Sequence, residues 1–91
     1  MGLYQYISFP DGTEISCSEI LTDENNQKSV RVYVEQWNDD IRDFNALEIY
    51  LPEGNVTKLS GFSKKVADEH IKHIMNLKTT IREIASERNR L

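Results

Sequence analysis

The chain has one cysteine, two prolines and four glycines among 91 residues, and each scarcity excludes something. Cys17 alone cannot form an internal disulfide, and a cysteine-based zinc site is excluded by count. The longest apolar runs are two or three residues, against roughly 20 for a helix that crosses a bilayer. Met1 to Gly12 shows no basic n-region, no apolar h-region and no small-residue cleavage site. The opening Met-Gly-Leu-Tyr-Gln-Tyr has Tyr6 where a myristoylation signal needs Ser or Thr. The expectation is a cytoplasmic protein without a membrane partner, in which the sequon Asn55-Val56-Thr57 is coincidental. A Gly-rich phosphate loop, a Gly-x-Ser-x-Gly elbow, a dinucleotide fingerprint and calcium-loop spacing are all missing. With no catalytic residue, cofactor or metal indicated, a non-enzyme is expected.

What is present begins with charge. Residues 1–61 hold four bases against eleven acids, a net −7, and residues 62–91 hold seven bases against four acids, a net +3. The halves attract one another, or the basic half reaches for nucleic acid. A chain of 10.6 kDa has a thin core, so self-association would help it.

Alternation marks the strands. Leu3, Ile7 and Phe9 alternate with Tyr4, Tyr6 and Ser8, and Pro10-Asp11-Gly12 then supplies a tight turn. A return strand follows over about Thr13 to Ile20, and Thr22 to Gln27 is a polar loop. Lys28 to Trp37 is the strongest strand, with Val30, Val32 and Val34 alternating with Arg31, Tyr33, Glu35 and Trp37. Asn38-Asp39-Asp40 interrupts it with one short helical turn. Phe44 to Leu51 alternates again, and Pro52-Glu53-Gly54 repeats the first turn: Ile7 to Gly12 and Ile49 to Gly54 match at an offset of 42. A short fifth strand is expected over Val56 to Leu59.

After Gly61 no glycine or proline follows, so one helix capped by Ser63 is expected over the rest. Val66, Ala67, Ile71, Ile74, Leu77, Ile81, Ile84, Ala85 and Leu91 share one arc. A heptad seam over the same span would include His70 and Arg88, which favours a helix lying on a sheet over a dedicated coiled coil. The expected fold is therefore α+β: one domain over 1–91, with an antiparallel four- to five-stranded sheet in 1–61 and one long C-terminal helix in 62–91 packed on one face.

Two surfaces stand out from this arrangement. A helix over residues 63–90 measures about 42 Å, whereas strands of seven or eight residues reach about 25 Å. The helix should overhang its sheet and bury Ile74, Leu77, Ile81, Ile84 and Leu91 partly against a second copy. On the sheet, parity places Tyr4, Tyr6, Tyr33, Trp37 and Tyr50, with Arg31, on the face away from the helix. Such a face suits protein recognition, because Tyr and Trp combine contact area with polar tips.

Other chemistries carry less. Stacking of single-stranded nucleic acid on the aromatic face is opposed by Glu14, Glu35 and Glu48, so nucleic acid would instead meet Lys78, Arg82, Arg88 and Arg90 on the helix. His70 and His73 lack the i, i+4 spacing of a zincin. Cys17 and His70 both point into the core, where a nucleophile meets no substrate. Asp39, Asp40 and Asp43 read as a solvated loop. The expectation is a small protein-interaction domain, homodimeric or bound to another protein, with a nucleic-acid-associated regulator as the alternative.

Overall fold

A computed structural model describes residues 3–89. Six strands are followed by two helices: β1 (Tyr4–Ser8), β2 (Glu14–Cys17), β3 (Leu21–Thr22), β4 (Lys28–Asn38), β5 (Asp43–Leu51), β6 (Asn55–Ser60), α1 (Lys64–Asn76) and α2 (Lys78–Asn89). The strands form one antiparallel sheet in the order β1-β2-β4-β5-β6, and β3 pairs with the start of β4. Both helices lie on the same face, α1 against β5 and α2 against β4.

Alternation built this core as the sequence requires. Ile15, Cys17, Val30, Val32, Val34, Leu47, Ile49 and Leu51 are buried on one face of the sheet, and Ala67, Ile74, Ile81 and Ala85 close over them. Each fully buried Val, Leu or Ile contributes about 1.5–3 kcal/mol. The first turn forms as the residues dictate: Asp11 accepts from the Thr13 N–H at 3.0 Å, and Gly12 takes φ +89°, a conformation open to glycine. Its counterpart Gly54 also has positive φ, but the Gly12 N–H donates to the carbonyl of Phe9 three residues back and the Gly54 N–H to that of Tyr50 four residues back, so the two matching stretches build different turns. Ser63 caps α1, its hydroxyl accepting from the Val66 N–H at 3.3 Å.

The helical region departs from the expected single helix. Leu77 leaves the helical conformation at φ −100° and ψ 5°, and its N–H is shared between His73 O at 3.2 Å and Ile74 O at 3.0 Å. Leu77 packs on the core, between Ile74 and Ile81, which are both buried. No glycine or proline marks the position in the sequence.

The expected overhang is shorter as well. β4 has 11 residues and spans about 36 Å, nearly the roughly 39 Å of a helix over residues 64–89. Ile74 and Ile81 are therefore fully buried beneath their own sheet, and Leu77 and Ile84 are half-buried. Leu91 and Arg90 lie outside the described residues. The short helical turn after Trp37 is likewise replaced, by a hairpin turn over residues 39–42 in which Arg42 takes φ +52°. The polar loop expected from Thr22 to Gln27 starts inside a two-residue strand, Leu21–Thr22. Its turn is tied by Asp23, whose carboxylate accepts from the N–H groups of Asn25 and Gln27, each at 2.9 Å. Among the described residues no helix is long and apolar enough to cross a membrane.

Candidate functional site

The face of the sheet opposite the helices is set by the register of β4 on β5. Arg31 pairs with Tyr50, Tyr33 with Glu48, Glu35 with Ala46 and Trp37 with Phe44, and all eight project away from the buried valines. Near its centre these side chains satisfy one another. Arg31 Nε donates to Glu48 Oε2 at 2.5 Å, Thr57 Oγ1 donates to Glu48 Oε1 at 2.7 Å, and Lys58 Nζ donates to the Tyr33 hydroxyl at 3.2 Å. The Arg31 and Lys58 cations also sit 5.7 and 5.6 Å from the Tyr33 ring centroid. Burial would raise the Glu48 carboxyl, but the Thr57 hydrogen bond and the Arg31 guanidinium outweigh it and hold the group below the usual carboxylate range. The centre is thus a half-buried polar layer tied across β4, β5 and β6.

Two of the five expected aromatics are not on this face. A β-bulge lies between Gln5 and Ile7, so Tyr4 pairs with Cys17, and Ile7 with Ile15, on the helix side. One extra residue reverses side-chain parity. Tyr6 is that residue and packs against the core. Tyr4 meets the Arg88 guanidinium 4.4 Å from its ring centroid. Tyr33, Trp37, Tyr50 and Arg31 remain on the open face.

The exposed aromatic surface lies at one end of the sheet. β2 pairs with β4 only as far as Glu35, and β6 pairs with β5 only as far as Ala46. The pairs Gln36↔Asn45, Trp37↔Phe44 and Asn38↔Asp43 therefore extend the β4–β5 hairpin with no strand on either side. Trp37 and Phe44 meet edge to face at 5.2 Å and are 49% and 44% exposed, and Ile41 in the turn is 54% exposed. Trp37 is held by its indole N–H, which donates to Asp39 Oδ1 at 2.7 Å. Asp40, Arg42 and Asp43 complete the tip, all exposed. Phe44 and Ile41 were missed from sequence, although the parity that placed Glu48 and Tyr50 outward also places Phe44 there.

The basic residues of the helical region do not form one free stripe. Lys78 is exposed, but Arg82 and Arg88 are half-buried and turn toward the chain itself. Arg88 Nη1 donates to the Cys17 carbonyl at 3.5 Å besides covering Tyr4. His70 packs edge to face on Phe62 at 5.2 Å, and burial lowers its pKa. Burial also pushes the Cys17 thiol up to about 11. Among the described residues no three His, Cys, Asp or Glu side chains converge to hold a metal ion. No protein-family model, curated protein or solved structure matches this chain.

Proposed function

We propose that the chain is a non-catalytic interaction domain that uses the end of the β4–β5 hairpin to bind a protein partner whose surface offers an apolar cleft rimmed by Lys or Arg. The observation that carries this reading is the exposure of Trp37, Phe44 and Ile41 together on a projecting tip. Clustered aromatic anchors dominate binding energy at protein interfaces, and a contiguous apolar patch on a surface marks a contact site more often than a single exposed residue does. The chemistry of the partner follows from the surroundings. Asp39, Asp40 and Asp43 stand against Arg42 alone at the tip, so a basic rim is attracted and an acidic one repelled. On the helices, by contrast, Ile74 and Ile81 are already covered by the sheet.

Trp37 is the only tryptophan, which makes its fluorescence a reporter of the site. Displayed peptides would be selected on the wild-type chain and counter-selected against a Trp37→Ser, Phe44→Ser double variant. The reading expects peptides that join an aromatic or leucine anchor to Lys or Arg, that shift Trp37 emission to shorter wavelength, and that weaken as salt rises. Neutral or acidic winners, or none that distinguish the variant, overturn it. A molar mass of about twice 10.6 kDa that falls to the monomer value in the double variant would instead make a second copy the occupant.

A further inference from the structure

A separate cleft opens between α2 and the β3–β4 hairpin. Thr79, Arg82, Ser86 and Asn89 recur along α2 at spacings of three, four and three, which places them on one stripe beside the buried Ile81 and Ala85. Ile20, Thr22 and Lys28 form the opposite wall, and the cleft, open to solvent on one side, has a volume of about 510 Å³. That is within the range of small-molecule sites. Asn89 fixes the width of the cleft at one end, its Oδ1 accepting from the Ile20 N–H at 2.8 Å and its Nδ2 donating to the Ile20 carbonyl at 3.4 Å.

The charges in this cleft are unmatched. Arg82 lines it with Nε shielded from solvent, and no described residue accepts from that N–H. Lys28 and Glu83 also line the cleft, yet neither forms an ion pair with Arg82 or with the other among the described residues. A shielded guanidinium donor without an acceptor is unfavourable, and the Nη groups, which are not shielded in this way, carry N–H donors that match the oxygens of a carboxylate or phosphate group. Lys28 adds a second positive charge and Thr22, Thr79 and Ser86 add hydroxyls around it. Glu83 limits the total, so a ligand with one oxyanion group suits the site better than a polyanion.

We propose that this cleft binds a small molecule through a single oxyanion group, a carboxylate or a phosphate, gripped by Arg82 and Lys28. The site is on the face away from the hairpin tip and does not depend on the partner proposed for that tip.

The test is an NMR titration of the full chain with acetate and, separately, with inorganic phosphate, at an ionic strength held constant with sodium chloride. The expected result is a saturable shift of the Arg82 Nε–H signal and of the Thr22 and Lys28 amides. The anion that saturates at the lower concentration identifies the oxyanion class. Arg82→Gln should weaken binding about tenfold or more, the loss expected for a charge-assisted hydrogen bond. Lys28→Ala, at an exposed position, should weaken it severalfold and serves alone if Arg82→Gln fails to fold. Shifts that stay linear with both anions, or saturable binding that Lys28→Ala leaves unchanged, overturn the proposal.

Discussion

The Arg88 guanidinium carbon lies 4.4 Å from the centroid of the Tyr4 ring, joining the last turns of α2 to the edge strand β1. The pair exists because the β1 bulge turns Tyr4 toward the helices. A cation over an aromatic face contributes about 0.5–1 kcal/mol at a partly exposed site. A double-mutant cycle of Tyr4→Ala and Arg88→Ala, read by urea denaturation, should give a coupling of that size. Additive losses would mean that the two side chains act independently.

Gly61 and Gly12 form a controlled comparison. Both have positive φ, so alanine at either meets a backbone penalty of about 1 kcal/mol. A Cβ at Gly12 meets nothing within 4 Å, whereas at Gly61 it would lie 3.1 Å from Asn45 Cα and collide with the Asn45 side chain. Asn45 is buried and accepts from Asn38 Nδ2 at 3.0 Å, so it has no easy retreat. Gly61→Ala should therefore lower stability clearly more than Gly12→Ala in the same denaturation assay. Equal losses would show that Asn45 yields.

The acid limb of stability should carry the mark of Glu48. Its carboxyl is held below the ordinary value of 4.5, so folding favours the ionised form. That contribution is fully present above 4.5 and is lost as pH falls through the lower folded value. Glu48→Gln should flatten the fall in urea midpoint below pH 4.5, and an unchanged slope would remove Glu48 as its source.

His70 acts in the same direction at higher pH. Burial lowers its pKa below 6.5, opposed by the charges of Asp11 and Glu69 and assisted by His73, with Phe62 packed on the ring. Protonation is then disfavoured in the folded state, and stability declines as pH falls below 6.5. NMR titration of the ring should place its midpoint below 6.5, and a midpoint above that value would contradict the burial.

Cys17 should be inert while the chain is folded. The thiol is 2% exposed, and burial pushes its pKa up to about 11, which depletes the reactive thiolate at neutral pH. Reaction with a thiol reagent should be orders of magnitude slower in buffer than in denaturant, and comparable rates would place the thiol at the surface. Because the folded pKa is raised, the stability it contributes is present below the ordinary value of 9.0 and is lost as pH rises through about 11.

Much of this architecture was legible in the residues. Val30, Val32 and Val34 alternating with Arg31, Tyr33 and Glu35 specify a strand with one buried face, and Ser63 ahead of an amphipathic run specifies where the helical region starts. The same parity, extended through Phe44, specifies the outward pairing with Trp37. Parity failed at β1 because a bulge leaves no signature in alternating residues, and that displaced Tyr4 and Tyr6 from the open face. The length argument failed because it gave every strand seven or eight residues, although Lys28 to Trp37 already reads as ten.

The sequence by itself determined the antiparallel sheet, its buried face and the polarity of its two halves, since periodicity and charge are properties of the chain. Tertiary structure alone decided the break at Leu77, the reach of the β4–β5 hairpin beyond its neighbours and the meeting of Arg82 with Lys28 across a cleft. These depend on which distant segments lie side by side: Leu77 packs on a core supplied by the sheet, and Arg82 and Lys28 line one cleft only because α2 lies beside the β3–β4 hairpin.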